Sequence, residues 1–420
     1  MGNKIFLADQ ATQQDILANT KAILSNVGDE DNPFRVVRYG VKINKNDSNP
    51  ATRITYLYDA VGKTPAAMNF GTGAFDYGDW ASTWFVAGTY PVMLKYDGTE
   101  DYKLSPTDYT KKIDGTTASD VANTAYAGNA MSAIPRVWIS QYEIGNYEYI
   151  ILCNIQYDSS YHAYAHTRAD LSLMDKIYLP CYKGYSDGTR LRSISGQQPV
   201  YNKNASQEIA LAQANGSLWG IKSWAHRNLI NCLLTVMFRN DNLQGAMGNG
   251  NLNYQFSLTP TCGVMQTGSL DDKGLFWGAN DNTHQVKVFG MEAWWGDQWD
   301  RTAGLMIQGG TIKAKMIPPY NTTASGYHDT GITPSGSNGG YIGKSVMTEY
   351  GRIPSVASGS ASTYQCDGLW FDNAATTYAL VGGCCFVGVL CGLWSVILYD
   401  SASSAVWSFG ASLSCEQPAA

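Results

Sequence analysis

The stretch ALVGGCCFVGVLCGLWSVIL at 379–398 runs for twenty residues without a charge, close to the end of a 420-residue chain. Its length matches a bilayer-spanning helix, but three features point elsewhere. No Lys or Arg follows Arg352, so the basic flank that orients a span is missing. Glycines at 382, 383, 388 and 392 lower helix propensity. The end of the stretch, WSVILYD, alternates: Trp394, Val396 and Leu398 fall on one face, and Ser395, Ile397 and Tyr399 on the other. That period belongs to a strand with one buried face, and no membrane span is expected.

The composition agrees with strands. Only 15% of residues are charged, whereas Gly (43) and Tyr (27) are abundant, a balance that favours β structure and turns. A net charge of -6 leaves no surplus of cations for phosphates, so no nucleic-acid partner is expected. The N-terminus, MGNKIFLADQATQQ, lacks a basic region followed by an apolar run, and Phe6 stands where myristoylation prefers a small hydroxyl residue. Export through a signal peptide is therefore not expected, and the nine cysteines read as free thiols.

Along the chain, residues 9–28 predict a thin amphipathic helix with Ile16, Ile23 and Val27 on its stripe, suited to attachment or oligomerisation. From Phe34 onward FRVVRYGVKI, TRITYLYDAV and TYPVMLKYDG read as strands of a small β domain over 34–130, ending in a connecting segment, SPTDYTKKIDGTTASDVANTAYAGNAMSA. RVWISQYEI, NYEYIILCNIQY and DKIYLPCYKGY add strands. SWAHRNLINCLLTVMFRN keeps helical spacing with Ser223 placed to cap it, and a short helix is expected from about Ser206. LMIQGGTIKAKMI reads as a hairpin turning at Gly309-Gly310, with Ile312, Ala314 and Met316 inward. The expected class is α+β.

Several motifs lapse on inspection. GGYIGKS at 339–345 has Asn338 where a phosphate-binding loop needs its first glycine, and GNGNLN at 248–253 lacks the last glycine of a dinucleotide fingerprint. His162 and His166 are four apart, but no Glu follows the first as a zinc motif requires. Glu100 and Asp101 read as solvated acids in a turn. The tryptophans of EAWWGDQWDR read as core, their indoles bonded to Asp297 or Asp300. No catalytic set, metal site or cofactor is expected.

The pattern ALVGG....G...GLW.V.LYDSAS...W..GASLSC resembles the ending of the variable proteins of diversity-generating retroelements, which carry a C-type lectin-like fold related to formylglycine-generating enzymes. NAMSAIPRVW, TRLRSISGQQP and WWGDQWDR are similar to the tailed-phage members of that family found in gut bacterial viruses. The specific likeness covers about the last fifty residues. In such systems template adenines are copied with errors, so an AAC codon becomes many residues but never Lys, Glu, Gln, Met or Trp. From Tyr378 to Cys415 there is no Lys, Glu, Gln or Met, and Trp394 and Trp407 fall at framework positions of the pattern.

The resemblance implies a β-rich N-terminal domain followed by a lectin-like domain over 131–420, with its variable region at about 370–415. It assigns Leu380, Gly382, Gly383, Gly388, Gly392, Trp394, Val396, Leu398, Ser401, Trp407, Gly410 and Leu413 to the framework. The ligand-binding set it implies is Cys384, Cys385, Phe386, Val387, Val389, Leu390, Ser395, Ile397, Tyr399, Asp400, Ser404, Val406 and Ser408; Cys391 fits either group. Without the resemblance the same residues read as an interior strand pair. Calcium-dependent sugar binding is not expected, because Gln198-Pro199 is followed by Val200 where the lectin motif has an acid or amide.

The function expected is that of a phage virion receptor-binding protein, made in the bacterial host's cytoplasm and carried on the particle surface. It would be a homotrimer, held to other phage structural proteins through residues 1–33, that binds a host cell-surface protein or glycan and carries no catalysis. A bacterial surface adhesin with the same display face and an enzyme on the formylglycine-generating scaffold are the alternatives.

Overall fold

A computed structural model describes residues 35–363 and 366–419; the helix expected over 9–28 lies outside them. Strand makes up 32% and helix 10%, a β-rich mixed α+β fold. Its centre is one helix, Trp224–Phe238, and every residue of that helix is buried. A helix covered all round is what a run as apolar as AHRNLINCLLTVMF requires. Ser223 caps it as expected: its Oγ accepts from the His226 backbone N–H, and His226 Nδ1 accepts from the Ser223 N–H at 3.1 Å. The shorter helix, Ala205–Gln213, begins at an Asn204 cap closed by Gln207.

Among the described residues, three sheets have four or more strands, and all three share the helix's apolar core. The first is antiparallel, in the order Ile54–Tyr58, Arg38–Asn44, Tyr147–Cys153, Trp138–Ile144. The second, also antiparallel, runs Trp219–Ile221, Leu413–Glu416, Lys176–Pro180, Gly128–Pro135, Tyr90–Lys95, Glu100–Lys103. The third is mixed, in the order Gly339–Tyr341, Gly368–Phe371, Val396–Leu398, Leu380–Val381, Trp299–Arg301, Phe409–Ala411. Each strand read from the sequence is present, and the hairpin pairs Leu305–Gln308 with Thr311–Ala314.

Two expectations need correction. The boundary expected near residue 130 lies inside Gly128–Pro135, a strand that pairs with Tyr90–Lys95 on one side and Lys176–Pro180 on the other. The sheets run across it, and so does the main core, which joins Val41 and Ile43 to Val396 and Leu398. The indoles also find other partners: Trp294 Nε1 donates to Asn231 Oδ1 at 3.1 Å and Trp295 Nε1 to the Gly248 carbonyl at 2.9 Å. The carboxylates have other partners: Asp297 accepts from the amides of Asn251 and Gln285, and Asp300 pairs with Lys183 and Lys222.

Four buried ionic groups fasten the first sheet to the rest. Asp241 forms an ion pair with Arg53 Nε at 3.2 Å and accepts from Arg352 Nη1 at 2.8 Å, and Arg352 also reaches Glu148. Replacing Ser223 with Ala is expected to cost about 1 kcal/mol in urea unfolding, since the buried His226 N–H then loses its acceptor.

Candidate functional site

The uncharged stretch at 379–398 is not helical. It forms the strand Leu380–Val381, a loop with one 3-10 turn at Gly388–Leu390, and the strand Val396–Leu398. No helix among the described residues is long and apolar enough to cross a membrane. Gly382 and Gly383 open the loop with φ of 88° and 89°, a region that suits glycine, and a Cβ on Gly383 would sit 2.3 Å from Cys391 Sγ.

The loop is tied down from below. Arg227 of the central helix donates to the carbonyls of Trp294 (2.5 Å), Gly392 (3.2 Å) and Leu393 (3.0 Å), and Asn231 Nδ2 donates to Leu393 at 2.8 Å. Buried Asp367 accepts the Trp394 backbone N–H at 2.6 Å. Burial pushes that carboxyl well above the usual range, against the pull of the Trp394 N–H and Arg227.

The alternation read from the sequence is present, yet only part of the expected outer face is open. Trp394, Val396 and Leu398 are buried in the main core as expected. Ser395 and Ile397, expected outside, are buried too, at 1% and 5% exposure; only Tyr399 is open, at 46%. The strand Val396–Leu398 has neighbours on both sides in the sheet, and a second apolar cluster of Trp299, Leu380, Cys384, Ile397 and Phe409 covers its other face. Cys384 and Cys385 are likewise buried, and Cys391 sides with the framework. Burial pushes the Cys384 thiol up to about 12 and raises those of Cys385 and Cys391, so all three stay protonated at neutral pH.

Over that second cluster lies a groove of about 470 Å³. Of the expected ligand-binding set it gathers Cys384, Phe386, Val387, Ile397, Tyr399, Asp400, Val406 and Ser408. Cys384 and Ile397 form its floor, while Phe386 (64% exposed), Tyr399 and Val406 stand at the rim. Val389 is exposed and Leu390 half-buried on the 3-10 turn outside the groove, Ser404 is half-buried beside it, and Cys385 and Ser395 are interior.

Five lining residues were not read as site residues. Tyr254 packs edge-on to Phe386 (5.3 Å between centroids) and beside Trp407 (5.9 Å); Trp299 and Trp370 meet at right angles, 5.7 Å apart. Trp407, assigned to the framework, is half-buried and faces the groove, as does Tyr254 from the loop 249–263. Phe409 closes the floor. Trp299 gave a signal as part of the tryptophan cluster, whereas nothing in its local sequence marks Tyr254.

The other candidates resolve as structure. His166 is fully buried, with Nε2 3.2 Å from the Ile134 carbonyl, while His162 lies half-exposed beside Glu349. Among the described residues no group of His, Cys, Asp and Glu could hold a metal. Glu100 is no solvated turn residue: it sits in a strand and accepts from Tyr90 (2.7 Å), Lys176 (2.9 Å) and Tyr178 (2.8 Å). No protein-family model and no curated protein matches the chain.

Ile397→Ser is expected to cost about 3 kcal/mol in denaturant unfolding, because it opens the floor and buries a hydroxyl. Phe386→Ser at the rim should stay within about 0.5 kcal/mol of the parent. Burial lowers His166 from 6.5 to about 4, so between those values the unfolded chain takes up a proton that the folded chain refuses. Stability therefore falls as pH drops through that window. His166→Gln removes this limb, and urea titrations at pH 7 and pH 4 should show the variant gaining about 3 kcal/mol on the parent across the interval.

Proposed function

We propose that this chain is a receptor-binding protein of a phage virion, a diversity-generating retroelement variable protein on a C-type lectin-like scaffold, whose groove contacts a host surface ligand. One observation carries the reading: eight of the thirteen positions that the resemblance makes variable converge on a single open groove. Rim side chains there can change without disturbing the core, because the floor and the helix beneath hold the backbone. The absence of Lys, Glu, Gln and Met from Tyr378 to Cys415 agrees with adenine-directed diversification. Exposed Phe386, Val389, Tyr399 and Val406 supply apolar area of the kind used in recognition.

In this reading the chain is a homotrimer attached to the particle through residues 1–33, and several weak contacts act together. The rival reading as an enzyme would need an ionised thiol, and burial drives Cys384, Cys385 and Cys391 away from that state. An adhesin would present the same groove, so the particle itself is the place to test.

Virions carrying Phe386→Ser, Val389→Ser, Tyr399→Ser and Val406→Ser together are expected to assemble and keep the parent's thermal unfolding midpoint, but to lose host adsorption. Unchanged adsorption would overturn the proposal. In the neighbouring DNA, an imperfect repeat of codons 370–415 differing mainly at adenines is expected beside a reverse transcriptase gene.

A further inference from the structure

The groove has an unusual balance of chemistry. Aromatic rings dominate its lining, with Tyr254, Trp370, Phe386, Tyr399 and Trp407 around the opening. Among the described residues, Asp400 is its one charged lining side chain, and neither Lys nor Arg lines it. Asp400 is half-buried, and its Oδ2 lies out of solvent without a hydrogen-bond partner among the described residues. Burial raises the Asp400 carboxyl above its usual range, against the pull of the Ser404 side chain, the Arg301 charge and the Tyr399 side chain; the hydrogen bonds of Arg301 go elsewhere, Nε to Glu208 and Nη2 to the carbonyls of Lys203 (3.2 Å) and Ser404 (2.9 Å).

Each class of ligand meets this lining differently. An anion would face Asp400 and the electron-rich ring faces, and so is repelled. A neutral apolar group would cover the rings but leave a carboxylate oxygen desolvated and unpaired, which costs binding energy. A sugar has few polar side chains to meet beyond Asp400 and Ser408. A planar cation gains on both counts, lying over aromatic faces while its N–H groups reach the free carboxylate oxygen. Guanidinium suits this better than ammonium, because it stacks as a plane and presents a fork of donors.

We infer that the groove selects an arginine side chain presented by a protein partner, with Asp400 as the charge-pairing residue and the surrounding rings as its walls. The inference rests on the groove being the contact face. Tyr399 and Asp400 belong to the positions expected to vary, so the preference is a property of this sequence. Tyr254, Trp370 and Trp407 stand outside that set and form a constant aromatic frame, on which other residues at 399 and 400 would select other partners.

The test titrates the full chain with N-acetyl-arginine amide and, as a neutral isostere, N-acetyl-citrulline amide, following the tryptophan indole N–H signals by NMR. Arginine is expected to bind about tenfold more tightly than citrulline, and Asp400→Asn to abolish the difference. Should Asp400→Asn fail to fold, Tyr399→Leu serves instead, and is expected to weaken the arginine probe several-fold while removing only a ring. Equal binding of the two probes, binding of neither, or an arginine preference that survives the substitution overturns the inference. Those results leave the groove's role to the adsorption experiment: if the rim variant abolishes adsorption while arginine shows no preference, the contact face stands and only its ligand class falls.

Discussion

The fold depends on one buried guanidinium. Arg227 is buried on the central helix, and its Nη groups donate to backbone carbonyls from two segments far apart in the chain, Trp294 on one and Gly392-Leu393 on the other. Carbonyls left unpaired in such an interior would each cost of the order of 1–3 kcal/mol, so neither loop can leave its place cheaply. Burial lowers the Arg227 pKa to about 9, and Asp300 and Asp367 hold it from falling further, so the group stays charged at neutral pH. The charge pins the helix, the tryptophan loop and the C-terminal loop to one another.

That pinning holds the open rim of the groove on a stable core. The uncharged stretch folds back twice over glycines whose backbone few other residues could adopt, and its strand is stitched into a six-stranded sheet. The side chains divide by depth. Ile397 and Cys384 carry weight as the floor of the groove, so they tolerate change only within apolar shapes, whereas Phe386, Tyr399 and Val406 border open water and are held less tightly by packing. A face built this way tolerates substitution best at its rim and least where it joins the sheet.

Tryptophan has a double use here. Trp294 and Trp295 are purely interior, each with its indole N–H bonded to a neighbouring amide or carbonyl, whereas Trp299, three residues after Gly296, reaches through the sheet to support the groove from within. Trp370 and Trp407, from separate segments, form the walls above it. The same residue type thus supplies both the packing that fixes the scaffold and the aromatic surface that gives the groove its chemistry.

Local pattern alone determined a good deal. Strand periods located the sheets, the Ser223 cap set the start of the long helix, Gly309-Gly310 set the hairpin, and alternation in WSVILYD separated two faces of the decisive strand. These are properties of residues near one another in sequence, where backbone geometry dictates which side chains share a face. Tertiary structure alone decided which faces meet water. Ser395 and Ile397 are on the face opposite Val396, as read, but both are buried, Ile397 beneath a cluster that includes Trp299 and Phe409. It also brought Tyr254 to the groove and carried the sheets across residue 130. Alternation tells a strand's two faces apart but not how many sheets or loops cover them, and burial is set by segments as near as Phe409 and as far as Trp299, which no local pattern names.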